Sequence, residues 1–153
     1  MVSVLTIFEG VRMNNLGFLL MKVSKELRYT LTKELTLYGL TTSQWAVLKR
    51  LEMEEAVNSS FSMRTAVEIA TKLDLDKPTI SGIVSRLYEK GLLIKEPHPN
   101  DRRASILFLT PKAKGLIPTL ESISNCVIDE SLINISSEEK TMFLRFLRVM
   151  DNN

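Results

Sequence analysis

Apolar residues return every three or four positions through the first quarter of the chain: Leu16, Leu20, Val23, Leu27, Leu31 and Leu35, with Leu19 broadening the stripe. That period puts side chains on one face of a helix. It predicts a long first helix from about Val11 to Tyr38, with Gly39 placed to stop it. Thr41, followed three residues on by Gln44, has the form of a capping box. Trp45, Val47, Leu48 and Leu51 supply the apolar side of a second helix. Residues 53–64 (MEEAVNSSFSMR) lose the period and read as a loop, with Asn58-Ser59-Ser60 its least structured part. Thr65 and Glu68 repeat the capping spacing ahead of a third helix, whose apolar positions are Val67, Ile69, Ala70 and Leu73. A tight connection, Asp74-Leu75-Asp76-Lys77, leads to a fourth helix from Pro78 to Lys90. Pro78 suits the first helical position and Gly91 the end.

The period then changes. Leu92 to Glu96 and Ala104 to Leu109 are apolar and β-prone, and Pro97 to Arg103 between them is polar, which predicts a hairpin with a loop of roughly seven residues. Thr110 and Pro111 open a fifth helix, kinked at Pro118. Ser136, with Glu139 as its capping partner, opens a last helix ending near Met150. No internal repeat or low-complexity segment is visible. The pattern is mainly α with a small β-hairpin, an α+β class.

Composition adds little until it is read locally. With 153 residues, 44% of them hydrophobic and 25% charged, the chain can bury the core of one domain with a helical extension. A net charge of +2 says nothing about partners. Between Lys77 and Arg103, however, six cations (Lys77, Arg86, Lys90, Lys95, Arg102, Arg103) face three acids (Glu89, Glu96, Asp101), so this window carries the positive excess and the remainder is about −1. Cys126 is the single cysteine, which excludes an internal disulfide and points to a reducing compartment. The N-terminus lacks a signal-peptide layout, and no apolar run approaches the ~20 residues of a membrane span. A cytoplasmic location is expected.

Two short helices joined by a four-residue turn, Thr65 to Lys90, have the form of a helix-turn-helix. In that unit the second helix enters the major groove and its N-terminal residues meet base edges. Ile80, Ile83, Val84 and Leu87 sit at i, i+3, i+4 and i+7, so they form the buried side. The opposite arc holds Thr79, Ser81, Gly82, Ser85 and Arg86, with Lys77 and Pro78 at the helix entrance. Small side chains let the backbone approach a groove floor, and Ser and Thr hydrogen-bond several base edges. Gly82 costs ~1 kcal/mol relative to Ala inside a helix, and close approach to DNA is one reason to keep it. The hairpin that follows carries Asp101, Arg102 and Arg103 near its tip, within reach of phosphates or the minor groove. Taken alone, the charge excess and the small polar arc read more simply as ordinary solvated surface, whereas a basic tip directly after such a helix pair favours DNA.

The segment Glu68 to Leu93 (EIATKLDLDKPTISGIVSRLYEKGLL) resembles the DNA-binding core of MarR-type regulators. Asn100 to Thr110 (NDRRASILFLT) resembles the family's wing motif through Asp101, Arg103, Leu109 and Thr110. PKAKGLI is similar to the usual start of the helix after the wing, and ISSEEKTMFLRFLRVM to the C-terminal helix. The resemblance runs from about Met13 to Met150. It implies a winged helix-turn-helix core with N- and C-terminal dimerisation helices, divided as 1–40, 41–110 and 111–153. It further implies an obligate homodimer in which each wing domain reads half of a pseudo-palindromic operator on double-stranded DNA, most often as a repressor. By the same resemblance Arg103 inserts in the minor groove, braced by Asp101, and the N-terminal half of the fourth helix reads the major groove. The loop before the third helix is longer than the family leads one to expect. Asp74 stands where members often have Gly, and Asp tolerates the left-handed conformation better than most residues.

The runner-up function is a winged-helix module that binds protein instead of DNA. The basic wing tip and the small polar face favour DNA. No phosphate-binding GxxxxGK stretch and no HExxH supports an enzyme. His98, the only histidine, falls in the wing loop, and one His with one Cys makes a zinc site improbable, so neither cofactor nor metal is expected. Some family members sense peroxide through a cysteine near the N-terminus, and this chain has none there. Cys126, flanked by apolar residues, reads as a small buried hydrophobe. Other members bind small aromatic acids or phenols between the dimerisation helices and the wing domain. Phe18, Met21, Trp45 and Phe61 are candidates for such a cleft, and plain core is the simpler reading.

Overall fold

The computed structural model describes the backbone of residues 4–57 and 60–152, with side chains from residue 15 onward within those spans. Six helices and one hairpin follow in order: α1 (Val4–Thr36), α2 (Thr42–Ala56), a 3-10 turn (Phe61–Arg64), α3 (Ala66–Lys72), α4 (Lys77–Glu89), β1 (Leu93–His98), β2 (Asp101–Leu109), α5 (Pro111–Ser131) and α6 (Ser137–Asp151). They form two compact units, Arg28–Ile123 and Met1–Leu27 with Ser124–Asn153. No helix among the described residues is long and apolar enough to cross a membrane.

Local signals set most boundaries in the first unit. Gly39 and Gly91 adopt φ +66° and +68°, the left-handed conformation that ends a helix cheaply only at glycine. Thr41 and Gln44 form the reciprocal box that opens α2. At α3 only half a box forms. The Thr65 hydroxyl accepts from the Glu68 amide, while the Thr65 amide donates to Ser62 and leaves no donor for the Glu68 carboxylate. Asp74 sits at φ +51°, so the turn before α4 keeps its left-handed residue without glycine. α4 begins at Lys77 rather than at Pro78, because Asp76 is its N-cap.

Leu35, Val47, Leu48, Leu51, Ile69, Leu87, Leu93, Leu107, Ile117 and Leu120 are the largest fully buried side chains of this unit's core. At roughly 1.5–3 kcal/mol for each such side chain, this core is what seats the wing and the helix pair. The predicted loop over 53–64 is wrong at both ends. α2 runs on to Ala56, and Phe61–Arg64 is a 3-10 turn. The acids in the extension obscured it. Glu54 is 4% exposed and pairs with Arg50 and with Lys72 of α3 (3.5 Å to Lys72). The turn lies against the wing. Phe61 meets Phe108 edge-on at 6.2 Å, and the Arg64 guanidinium lies 5.5 and 5.4 Å from the two ring centres.

The hairpin is antiparallel, with Leu93 opposite Leu109 and His98 opposite Asp101. Both strands outrun the apolar segments, and only Pro99 and Asn100 lie between them, not seven residues. A solvated ribbon has no buried face, so its strands leave no alternation to read.

In the second unit, Ser136 and Glu139 form the predicted box ahead of α6. Met142, Phe143, Leu144, Phe146, Leu147, Val149 and Met150 are exposed on that helix, as are Leu16, Phe18, Leu19, Met21 and Val23 on α1. Phe18 and Met21, at 69% and 76% exposure, are therefore not core of the single chain, whereas Trp45 is. Cys126 is also exposed; its neighbour Val127 takes the buried position on α5.

Candidate nucleic-acid interface

The site starts at the entrance of α4. The Thr79 hydroxyl, and the Thr79 amide that donates to the Asp76 carboxylate at 2.7 Å, hold the pKa of Asp76 below the ordinary 3.8. A negative cap also suits the positive end of the helix dipole. Asp76 was not among the predicted site residues; an Asp directly before Lys-Pro was the signal for it. Because the folded value is depressed, the cap's contribution to stability is complete above 3.8. It is lost as pH falls from there through the folded value. Asp76→Asn keeps a good cap but does not titrate. Its melting temperature should therefore fall less steeply than the parent's on the acid side, and superimposable acid limbs would refute this role for Asp76.

From that entrance α4 divides as its apolar period requires. Ile80, Ile83, Val84 and Leu87 are 0–4% exposed and fix the helix to the core. Lys77, Pro78, Thr79, Ser81 and Arg86 are exposed on the other arc, while Gly82 and Ser85 are half-buried. A Cβ added at Gly82 would meet nothing within 4 Å, so the chain itself does not require glycine there.

A cleft of about 580 Å³ lies between α3, α4 and the hairpin. It brings Lys77 and Ser81 of α4 together with Asp101 and Arg103 of the wing. Pro78, Thr79, Gly82, Ser85, Arg86 and Arg102 lie outside it. The pairing is irregular at the tip, where Pro97 lies opposite Ser105 and His98 opposite Asp101, and there Asp101, Arg103, Ala104 and Ser105 line the cleft while Arg102 does not. Asp101 accepts from the Arg103 backbone amide at 2.9 Å, so its contact braces the chain beside the guanidinium. Across the tip, the Asn100 amide donates to His98 Nδ1 at 3.2 Å.

Lys95 belongs to this cleft and was not predicted there. Its ammonium lies 5.1 Å from the Tyr88 ring centre, and Lys95 lines the cleft along with Lys77 and Arg103. A strand pairing of Lys95 with Leu107, invisible before the register is known, places it there. Hydroxyls of Thr65, Thr71, Ser81 and Ser105 complete a lining whose polar groups are cationic or neutral, apart from Asp101. Such a concave cationic surface suits a polyanion. Among the described residues, no group of three or more His, Cys, Asp or Glu side chains is placed to hold a metal ion.

Residues 40–105 match the sequence model of the MarR family. Solved structures agree over most of the chain. A crystal structure of MarR is 25% identical with a TM-score of 0.73, covering 90% of this chain and 95% of that one. A MarR transcriptional regulator from Methanosarcina mazei is 20% identical with a TM-score of 0.80, covering 92% and 96%. The S. aureus MepR–DNA complex is 22% identical with a TM-score of 0.74, covering 89% and 96%. Residues 40–105 thus match the MarR family, and most of the chain has the winged-helix fold of these MarR structures.

Proposed function

We propose that the protein is a sequence-specific DNA-binding transcriptional regulator, acting in the cytoplasm as a homodimer on a pseudo-palindromic operator. The observation that carries this reading is the shared cleft. Lys77 and Ser81 of the recognition helix and Arg103 of the wing line one concave surface, with the exposed arc of α4 beside it. That arrangement suits a duplex with base edges on α4 and phosphate or minor groove at the wing. A similar structure, MepR, is bound to DNA. The contact set is Lys77, Pro78, Thr79, Ser81, Gly82, Ser85, Arg86, Asp101, Arg102 and Arg103. Repression, with release by a small aromatic or phenolic ligand, is the mode we assign. Neither a catalytic residue nor a cofactor enters this reading. Selection of bound sequences from a random duplex pool tests it and returns the operator. Recovery of no enriched sequence would count against it.

The dimer rests on α1 and α6. Seven large apolar residues between Met142 and Met150 are 40–58% exposed in the single chain. A patch of that extent on a soluble protein marks an interface. In this reading 1–40 and 111–153 supply the dimerisation helices, and 41–110 the DNA-binding domain. Light scattering at micromolar concentration should return twice the 17.4 kDa chain mass. A monomer mass would remove the dimer, and with it the palindrome.

A further inference from the structure

We propose that Glu55 is a positioning residue that sets the wing against α2 and α5, and that DNA affinity depends on it although it touches no DNA; the second half rests on the DNA-binding reading above. Its carboxylate is divided between two elements. Oε1 accepts from the backbone amide of Leu109, the last residue of β2, at 2.8 Å. Oε2 pairs with the Lys114 ammonium of α5 at 2.7 Å. The Glu55 side chain is 15% exposed, so its bond to the Leu109 amide forms where water competes weakly, while the Lys114 end of the ion pair, 58% exposed, meets solvent. A carboxylate accepting an amide on one oxygen and an ammonium on the other is a strong joint, because both bonds are charge-assisted.

The place of this joint gives it leverage. The hairpin is anchored at its base by Leu93, Leu107 and Leu109, all 4% exposed or less, and its tip is solvated. Beyond that core, β2 is held from the side by the Phe61 and Arg64 contacts on Phe108, by the bridge between Thr65 and Ile106 and by the Glu55 contact at Leu109. A tilt at Leu109 is carried along β2 to Arg103, six residues or ~20 Å away. Lys114 joins the same carboxylate to α5, and a second ion pair, Lys49 to Glu121 at 2.7 Å, holds α2 and α5 together one helical segment away. Through its side chain Glu55 thus ties the base of β2 to the first turn of α5, beside the direct chain link at Thr110.

The test compares Glu55→Ala, Glu55→Gln and Lys114→Ala with the parent, each well below its melting temperature. Two measurements are made. Amide hydrogen exchange at Leu109 in the free protein reads the joint without DNA. Titration with the selected operator at several salt concentrations reads its consequence. Glu55→Ala should lose Leu109 protection by about tenfold or more, the strength of a hydrogen bond to a charged group. Operator affinity should drop about five- to tenfold, with the salt slope unchanged because no phosphate contact is lost. Glu55→Gln keeps an acceptor for Leu109 but no partner for Lys114, so it should retain most of the protection and lose part of the affinity. Lys114→Ala changes a side chain 58% exposed, so it tests the joint even if Glu55→Ala does not fold. Unchanged Leu109 protection in Glu55→Ala overturns the joint. A salt slope lowered by about one unit overturns the positioning role and makes Glu55 a DNA contact. Parent-like operator binding by both Glu55→Gln and Lys114→Ala overturns the link to α5. If the parent binds no selected DNA, the functional reading fails, and exchange at Leu109 alone decides the joint.

Discussion

Leu87→Ala should lower the free energy of unfolding by about 2–5 kcal/mol. Leu87 is 0% exposed and sits on the apolar side of α4, in register with Ile80, Ile83 and Val84. Truncation removes its transfer energy and leaves a cavity that two neighbouring helices and the hairpin base cannot fully close. The carbonyl of Leu87 also accepts the Leu92 amide at 2.9 Å, so the loosened residue is the one from which the chain leaves for the wing. Urea unfolding at fixed protein concentration should show a lower midpoint with an unchanged slope. A loss under about 1 kcal/mol would mean that α4 is not seated by this contact, because surface-like substitutions stay near 0.5 kcal/mol.

Arg103→Ala should weaken binding to the operator and to unrelated duplex alike, with the salt slope lower by about one unit. Arg103 is a cation on the cleft face of the wing, its backbone amide fixed by Asp101. In the proposed DNA-bound state its contacts would follow charge and groove width, not base identity. Ser81 and Ser85 present hydroxyls without charge, one exposed and one half-buried. Ser81→Ala and Ser85→Ala should each cost about 1–3 kcal/mol per lost base contact on the operator, with binding to unrelated duplex and the salt slope nearly unmoved. The three variants are compared on operator and random duplex across a salt series. An Arg103→Ala protein that keeps every affinity and slope would show that the wing does not contact DNA.

What was legible in the sequence was local. Capping at Thr41 and Ser136 and the helix stops at Gly39 and Gly91 need only a few neighbouring residues, and each stands as read. The buried side of α4 followed from four residues at helical spacing. Features that depend on distant partners were not legible. The last turn of α2 looked like a loop because Glu54 and Glu55 are acids, and only Lys72, Leu109 and Lys114 explain why acids belong there. Lys95 joined the cleft through strand register, which charge counting cannot supply. Cys126 beside Val127 and Ile128 looked buried, yet on a helix adjacent residues face different directions, and Val127 is the one turned inward.

The partial cover on β2 has a consequence for how the free protein behaves in company. The Thr65 bridge and the Glu55 carboxylate occupy the outer edge of that strand only near its base, at Ile106 and Leu109. From Asp101 to Ser105 the ribbon continues outward, exposed or half-exposed throughout. A bare strand edge is an invitation to a strand from another molecule, and charge along it is a standard deterrent. Asp101, Arg102 and Arg103 lie on that stretch. Those charges, part of the proposed contact set, would therefore also keep two free wings from joining edge to edge, and replacing this polar tip with apolar residues should lower solubility.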